Sequence, residues 1–149
     1  MKKIIVHILI TALFTSPLFA ADIYLSLSAH GQRTDLGISG FVPESGKVEE
    51  AKLGRLVSDV LTNDLLFSRY FNIVEGGPAY TGKNEELLDW QQRGANVLVC
   101  GKAGIRKNEL VVTGQIFDID SQKVIWEKTF TRSIEDYRYI AHDLNDEII

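Results

Sequence analysis

The chain has little of what catalysis usually needs. It holds one cysteine among 149 residues, so no intrachain disulfide can form. Cys100 closes the apolar run Val97-Leu98-Val99-Cys100 and has no basic neighbour to favour a thiolate. It reads as a small buried apolar residue, not a nucleophile. Histidine is scarce as well. His30 and His142, the two outside the N-terminal leader, lack any His-x-x-x-His, His-x-x-Glu-His or Cys-x-x-Cys spacing around them. A metal site needs three or four converging ligands, so no metal or other cofactor is expected. His30 reads as a solvated turn residue and His142 as a helix-surface residue. There is no Gly-x-Ser-x-Gly elbow and no Gly-x-x-x-x-Gly-Lys-Ser phosphate loop. Gly37-Ile38-Ser39-Gly40-Phe41 lacks the helix start that would aim amides at a phosphate. Asp118-Ile119-Asp120-Ser121 begins like a calcium loop, but the sixth-position glycine and twelfth-position glutamate are missing. These absences point away from an enzyme. Basic charge is short too. The net charge is −4, and it becomes −6 once residues 1–20, with Lys2 and Lys3, are removed. Nucleic acid and anionic membrane surfaces need a basic face, so neither is an expected partner.

The N-terminus sets the compartment. Lys2 and Lys3 precede an apolar run from Ile4 to Phe14, broken only by His7 and Thr11. Ser16 and Pro17 interrupt it, and Leu18-Phe19-Ala20 leads into Ala21-Asp22. Charge, apolar core, breaker and small residue in this order make a secretory signal peptide, with cleavage expected after Ala20. The run is too short to cross a bilayer, and no later run is long enough, so no membrane span is expected after cleavage. No cysteine near the cut marks a lipoprotein. Residues 1–20 are therefore read as leader and residues 21–149 as one α/β domain in the periplasm.

Within that domain the periodicities alternate between strand and helix. Asp22 to Ser28 reads as a strand, with Ile23, Leu25 and Leu27 on one face and Asp22, Tyr24 and Ser26 on the other. His30-Gly31-Gln32 is a turn. Leu36 to Val42 is a second strand, whose two glycines suggest a bulge or a close backbone approach. A long helix follows from about Val48 to Ser68, its stripe formed by Leu53, Leu56, Val57, Val60, Leu61 and Leu65. Gly54 inside it predicts tight packing against a strand. Glu49 and Glu50 suit the helix dipole. Phe71 to Glu75 is a short strand, and Asn84 is expected to cap a short helix carrying Leu87, Leu88 and Trp90 that ends at Gly94. Asn96 to Gly101 reads as a strand buried on both faces. Glu109 to Asp118 and Lys123 to Thr131 form a hairpin across the polar turn Ile119 to Gln122. Leu110, Val112 and Ile116 are expected on one face of the first strand, and Val124, Trp126 and Phe130 on one face of the second. Ser133 is expected to cap a last helix with the stripe Ile134, Tyr137, Ile140, Ala141, Leu144 and Ile148. No internal repeat is seen. The order β-β-α-β-α-β-β-β-α predicts a mixed sheet packed by helices. The last helix stops in mid-pattern at Ile149, so a longer natural chain is expected.

Four stretches carry a family likeness. They are Asp22-Ile23-Tyr24-Leu25-Ser26-Leu27 with Leu36-Gly37-Ile38-Ser39-Gly40-Phe41-Val42-Pro43; Val60-Leu61-Thr62-Asn63-Asp64-Leu65 with Ser68-Arg69-Tyr70-Phe71; Trp90-Gln91-Gln92-Arg93-Gly94-Ala95-Asn96-Val97-Leu98-Val99-Cys100-Gly101; and Tyr137-Arg138-Tyr139-Ile140-Ala141-His142 with Asp146-Glu147-Ile148. In this order they resemble the TolB N-terminal domain family of the Tol–Pal envelope system. The resemblance implies an anticodon-binding-domain-like α/β fold. It also implies a role in outer-membrane integrity, cell division and bacteriocin import, exercised by protein–protein contact. In that family the start of the mature chain engages the C-terminal domain of TolA. By resemblance the partner-binding residues are Asp22, Ile23, Tyr24, Leu25, Ser26, Leu27, Ser28 and His30. A Pal-like lipoprotein would be a partner only if a β-propeller follows. A monomer is expected.

The residues alone leave a second reading of Asp22–Ser28 open, as an ordinary strand of the domain's own sheet. Two other functional classes stay open as well. One is an envelope accessory domain of the CsgG or LpoB type, whose hairpins resemble Phe117 to Trp126. The other is an exported enzyme or small-ligand binder using His142 or Tyr137.

Overall fold

The computed structural model describes residues 33–149. The expected leader, the strand Asp22–Ser28 and His30 lie outside the described residues. The described chain runs β1 Thr34–Pro43, α1 Val48–Ser68, β2 Phe71–Val74, α2 Asn84–Gln92, β3 Val97–Arg106, β4 Glu109–Asp118, β5 Lys123–Ser133, a single 3-10 turn Ile134–Asp136 and α3 Tyr137–Ile148. The five strands form one sheet in the order β2-β1-β3-β4-β5. β2, β1 and β3 are parallel, while β3, β4 and β5 run antiparallel to their neighbours. This is the mixed, helix-packed α/β sheet that the sequence predicts.

Alternation along β3 separates the two faces. Val97, Val99 and Ala103 point into the larger core, against Leu53, Val57, Leu61 and Leu65 of α1 and Ile140, Ala141, Leu144 and Ile148 of α3. Leu98 and Cys100 point the other way, into a smaller core closed by Leu87 and Trp90 of α2 with Phe117 and Ile119. Both stripes of the long helices are thus buried as their 3.6-residue period requires. β3 extends beyond the expected end at Gly101, because Ala103 and Ile105 continue the inward alternation.

The glycines act where strand and helix meet. A Cβ on Gly54 would lie 2.3 Å from the Phe41 carbonyl oxygen, so α1 rests directly on the β1 backbone there. The register of β1 against β3 slips between Ile38 and Gly40, forming the bulge that the strand glycines suggested. A Cβ on Gly37 would strike the Trp90 ring at 2.6 Å. The missing side chain leaves the place for the indole, whose Nε1 donates to the Pro78 carbonyl at 2.9 Å.

Four local expectations are corrected. Asn84 is the first helical residue of α2, not its cap; the flanking residue is Lys83, with no side-chain cap bond. Ser133 does not cap α3 either. Its hydroxyl donates to the Asp136 carboxylate at 2.8 Å, and a 3-10 turn separates it from α3. Ile119, placed by sequence in a polar turn, is only 2 % exposed and sits in the smaller core. Val124 does not share a face with Trp126 and Phe130 against the core. A register shift opposite Ile116/Phe117 skips Ile125, so Val124 pairs with Phe117 and is left 43 % exposed.

Candidate protein-docking surfaces

The order β2-β1-β3 places a topological switch at β1. The chain leaves β1 through α1 on one face and reaches β3 through α2 on the other. In open α/β sheets the carboxyl ends of such strands are where ligands usually bind. Here the chain fills that place with its own acids. Glu44 donates its amide to the Ala103 carbonyl at 2.8 Å and pairs its carboxylate with Arg106. Glu50, 2 % exposed, accepts from the Ser45 amide and hydroxyl, both at 2.8 Å, and from the Ile105 amide at 3.2 Å. The Ser45 amide and hydroxyl, then the Ile105 amide and the Lys47 charge, hold this carboxyl below the ordinary glutamate value, against the opposing effect of burial. This end of the sheet is thus occupied by the Glu44–Arg106 pair and the buried Glu50 carboxylate.

The same device recurs at α2. Glu86 accepts from the Thr81 amide at 2.6 Å and the Thr81 hydroxyl at 2.7 Å, and its pKa is lowered chiefly by those two bonds. Ser45-Gly46-Lys47-Val48-Glu49-Glu50 and Thr81-Gly82-Lys83-Asn84-Glu85-Glu86 share the pattern Ser/Thr-Gly-Lys-x-Glu-Glu. Gly46 and Gly82 both take positive φ, 76° and 104°, turning the loop back so that the hydroxyl reaches the glutamate. The expectation of no internal repeat is corrected by this six-residue repeat. Glu49 and Glu50 are legible in the sequence as dipole partners; the recurring Ser/Thr-Gly-Lys ahead of each Glu-Glu pair is the signal that Glu50 and Glu86 also grip their loops.

Cys100 is 1 % exposed, and burial pushes its thiol up to about 12. His142 lies on the surface of α3, with Nδ1 at 2.7 Å from the Asp64 carboxylate of α1. Asp118 accepts the Ser121 amide at 2.7 Å, which makes its loop a hairpin turn. Tyr137 packs against the larger core, and Arg138 lies over its ring at 5.7 Å. Among the described residues no three His, Cys, Asp or Glu side chains gather as a metal site. No described helix is long and apolar enough to cross a membrane.

What remains exposed suits contact with protein. Leu66, Phe67 and Tyr70, at the junction of α1 and β2, are 47 %, 89 % and 50 % exposed. A groove of about 320 Å³ runs beside the β1 bulge, between Ile38 and Val42 on one side and Arg55 and Ser58 of α1 on the other. Among the described residues β5, of 11 residues, is bonded to β4 on one side only. β1 begins at Thr34, paired with Phe71.

The described chain is thus a mixed α/β sheet domain with exposed apolar side chains at the α1–β2 junction. The family model for the TolB amino-terminal domain matches residues 28–125, and the chain belongs to that family. Curated relatives agree. The Tol-Pal system protein TolB of Orientia tsutsugamushi is 28 % identical over 98 % of this chain, and that of Wolinella succinogenes 24 % identical over 89 %. The chain spans only 34 % and 31 % of their lengths. Among solved structures, TolB from Acinetobacter baumannii matches 78 % of this chain and 27 % of its own, with TM-score 0.59 and 18 % identity. The LpoB C-terminal domain from Salmonella enterica matches 70 % of this chain and 87 % of its own, with TM-score 0.54 and 15 % identity. At these identities the structural likenesses speak for the fold alone.

Proposed function

We propose that this chain is the exported interaction module of a Tol–Pal envelope component and acts in the periplasm by binding proteins rather than by catalysis. The observation that carries this reading is the family match over residues 28–125. The leader pattern of residues 1–20 supports export. The filled switch point and buried Cys100 support binding over chemistry. The contact proposed is the strand Asp22 to Ser28, with His30 at its turn. Its alternating Ile23, Leu25 and Leu27 can pack on a partner while its backbone extends a partner sheet, here that of a TolA-like C-terminal domain. Only Ala29 to Arg33 separate this strand from β1, so the contact would be held close to the domain. Outer-membrane integrity, cell division and bacteriocin import follow as roles of the whole system. A Pal-like lipoprotein enters only where a propeller follows this domain.

Titration of residues 21–149 and of residues 31–149 against the cognate TolA C-terminal domain tests the reading. Binding by the first and none by the second is expected. Equal affinity of the two would sink the strand's role.

A further inference from the structure

We propose that residues Gly76 to Gly82, between β2 and α2, form a hinged strap that opens as a unit and bares the smaller core while the sheet and the larger core stay folded. Three observations carry this, and none depends on the partner-strand reading.

The first is where the chain can turn. The segment reads Gly76-Gly77-Pro78-Ala79-Tyr80-Thr81-Gly82. Gly76 and Gly82 take positive φ, 78° and 104°. Glycine changes such angles at little cost, whereas the Pro78 ring fixes its own φ. Freedom is thus concentrated at the two ends, with Pro78 to Thr81 between them.

The second is how the segment is fastened. Residues 76–82 make no backbone–backbone hydrogen bond with any described residue. Side chains hold them instead, chiefly from α2, where Glu86 and Trp90 stand one turn apart. Trp90 donates its Nε1 to the Pro78 carbonyl at 2.9 Å. Glu86 accepts the Thr81 amide at 2.6 Å and its hydroxyl at 2.7 Å. Between these two clasps Tyr80 lies edge-on to Phe117, with ring centroids 5.3 Å apart. A segment held by a few side chains, without a ladder of its own, opens at lower free energy than the strands and helices around it.

The third is what lies beneath. Gly77 rests on the indole, since a Cβ there would lie 2.4 Å from the Trp90 ring. Tyr80 packs against the smaller core, which contains Cys100 and Phe117. Burial first, then the neighbouring Cys100 thiol and Glu86 carboxylate, raise the Tyr80 hydroxyl above its ordinary value. Cys100 therefore sits close under the strap. The larger core includes none of residues 76–82, so lifting them leaves it intact. Cys100 reports the motion. Under the closed strap it is buried, and its thiol is held at about 12. Opening gives it both access to solvent and a thiolate, the form that reacts.

Reaction of Cys100 with dithiobisnitrobenzoate at about pH 8, near the ordinary thiol value, tests this on residues 21–149 in urea below the unfolding transition. Labelling through the strap is expected to rise with urea far less steeply than global unfolding does, because little surface is exposed. Thr81→Ala removes one of the two Glu86 bonds and is expected to speed labelling in the absence of urea roughly three- to tenfold. Ser45→Ala removes the matching hydroxyl bond to Glu50 in the other loop and is expected to leave that rate unchanged. Labelling of the unmodified chain that follows the global unfolding slope at every urea concentration overturns the proposal, whatever the variants do. So does a folded Thr81→Ala variant that labels no faster than the unmodified chain, or a Ser45→Ala variant that labels as fast as Thr81→Ala.

Discussion

Two glutamates matter more than their exposed-looking sequence positions suggest. Glu50 is read from sequence as a dipole partner at a helix start, and Glu86 lies in the first turn of α2. In the fold each also holds the loop before its helix, through an amide and a hydroxyl five residues back. Glu50 further binds β3 through the Ile105 amide. Both carboxyls have lowered pKa values in the folded state. Their contribution is therefore complete above the unfolded glutamate value, near 4.5, and is lost as pH falls through the lower folded value. Urea titrations between neutral pH and pH ~3 are expected to show falling stability at the acid end. Glu50→Gln and Glu86→Gln are expected to be less stable at neutral pH and to lose less on acidification. An acid dependence as steep as that of the unmodified chain would contradict this role. The loop grip on Glu86 could have been read from the Ser/Thr-Gly-Lys-x-Glu-Glu repeat. The Glu50 bond to Ile105 could not, because its partners are joined only when β1 and β3 pair.

At the scale of elements, α1 carries the sharpest conflict between local and tertiary preference. Alanine at Gly54 would gain about 1 kcal/mol in helix propensity. The same methyl would sit 2.3 Å from the Phe41 carbonyl oxygen, which is backbone and cannot rotate away. Overpacking of this kind costs about 1–3 kcal/mol, so the clash outweighs the propensity gain. Gly54→Ala is expected to lower the urea midpoint; a raised midpoint would show that α1 can lift from β1 at little cost. The smaller core has its own version. Gly37 of β1 and Gly77 of the following loop both lie against the Trp90 ring. Gly37→Ala is expected to displace the indole and shift Trp90 emission to longer wavelength, measured in a Trp126→Phe background. Unchanged emission would count against the close approach. The helix and the strand glycines were legible beforehand. The indole between two glycines was not, since three separate segments form it.

The described residues form one sheet with a core on each face, and β3 contributes alternate residues to both. Both cores share β3, so unfolding is expected to be a single transition. Far-UV circular dichroism and tryptophan fluorescence should give one urea midpoint; two separated midpoints would mean that the α2 face melts alone. At this scale the sequence carried the element order and the two buried stripes of α1 and α3. Val124 marks where it stopped. Strict alternation puts Val124 beside Trp126, and one skipped residue in the β4–β5 register turns it to solvent.

The amino-acid order was enough to place the helices and strands from β1 to α3, the buried character of Cys100 and the family. Hydrophobic period, glycine position and motif spacing are properties of neighbouring residues, and backbone geometry converts them directly into elements. The filled switch point, the register of β5 and the seat of Trp90 came from folding alone. Each depends on which distant segments meet and in what register. A shift of one residue there reverses which side chains are buried while leaving every local pattern unchanged.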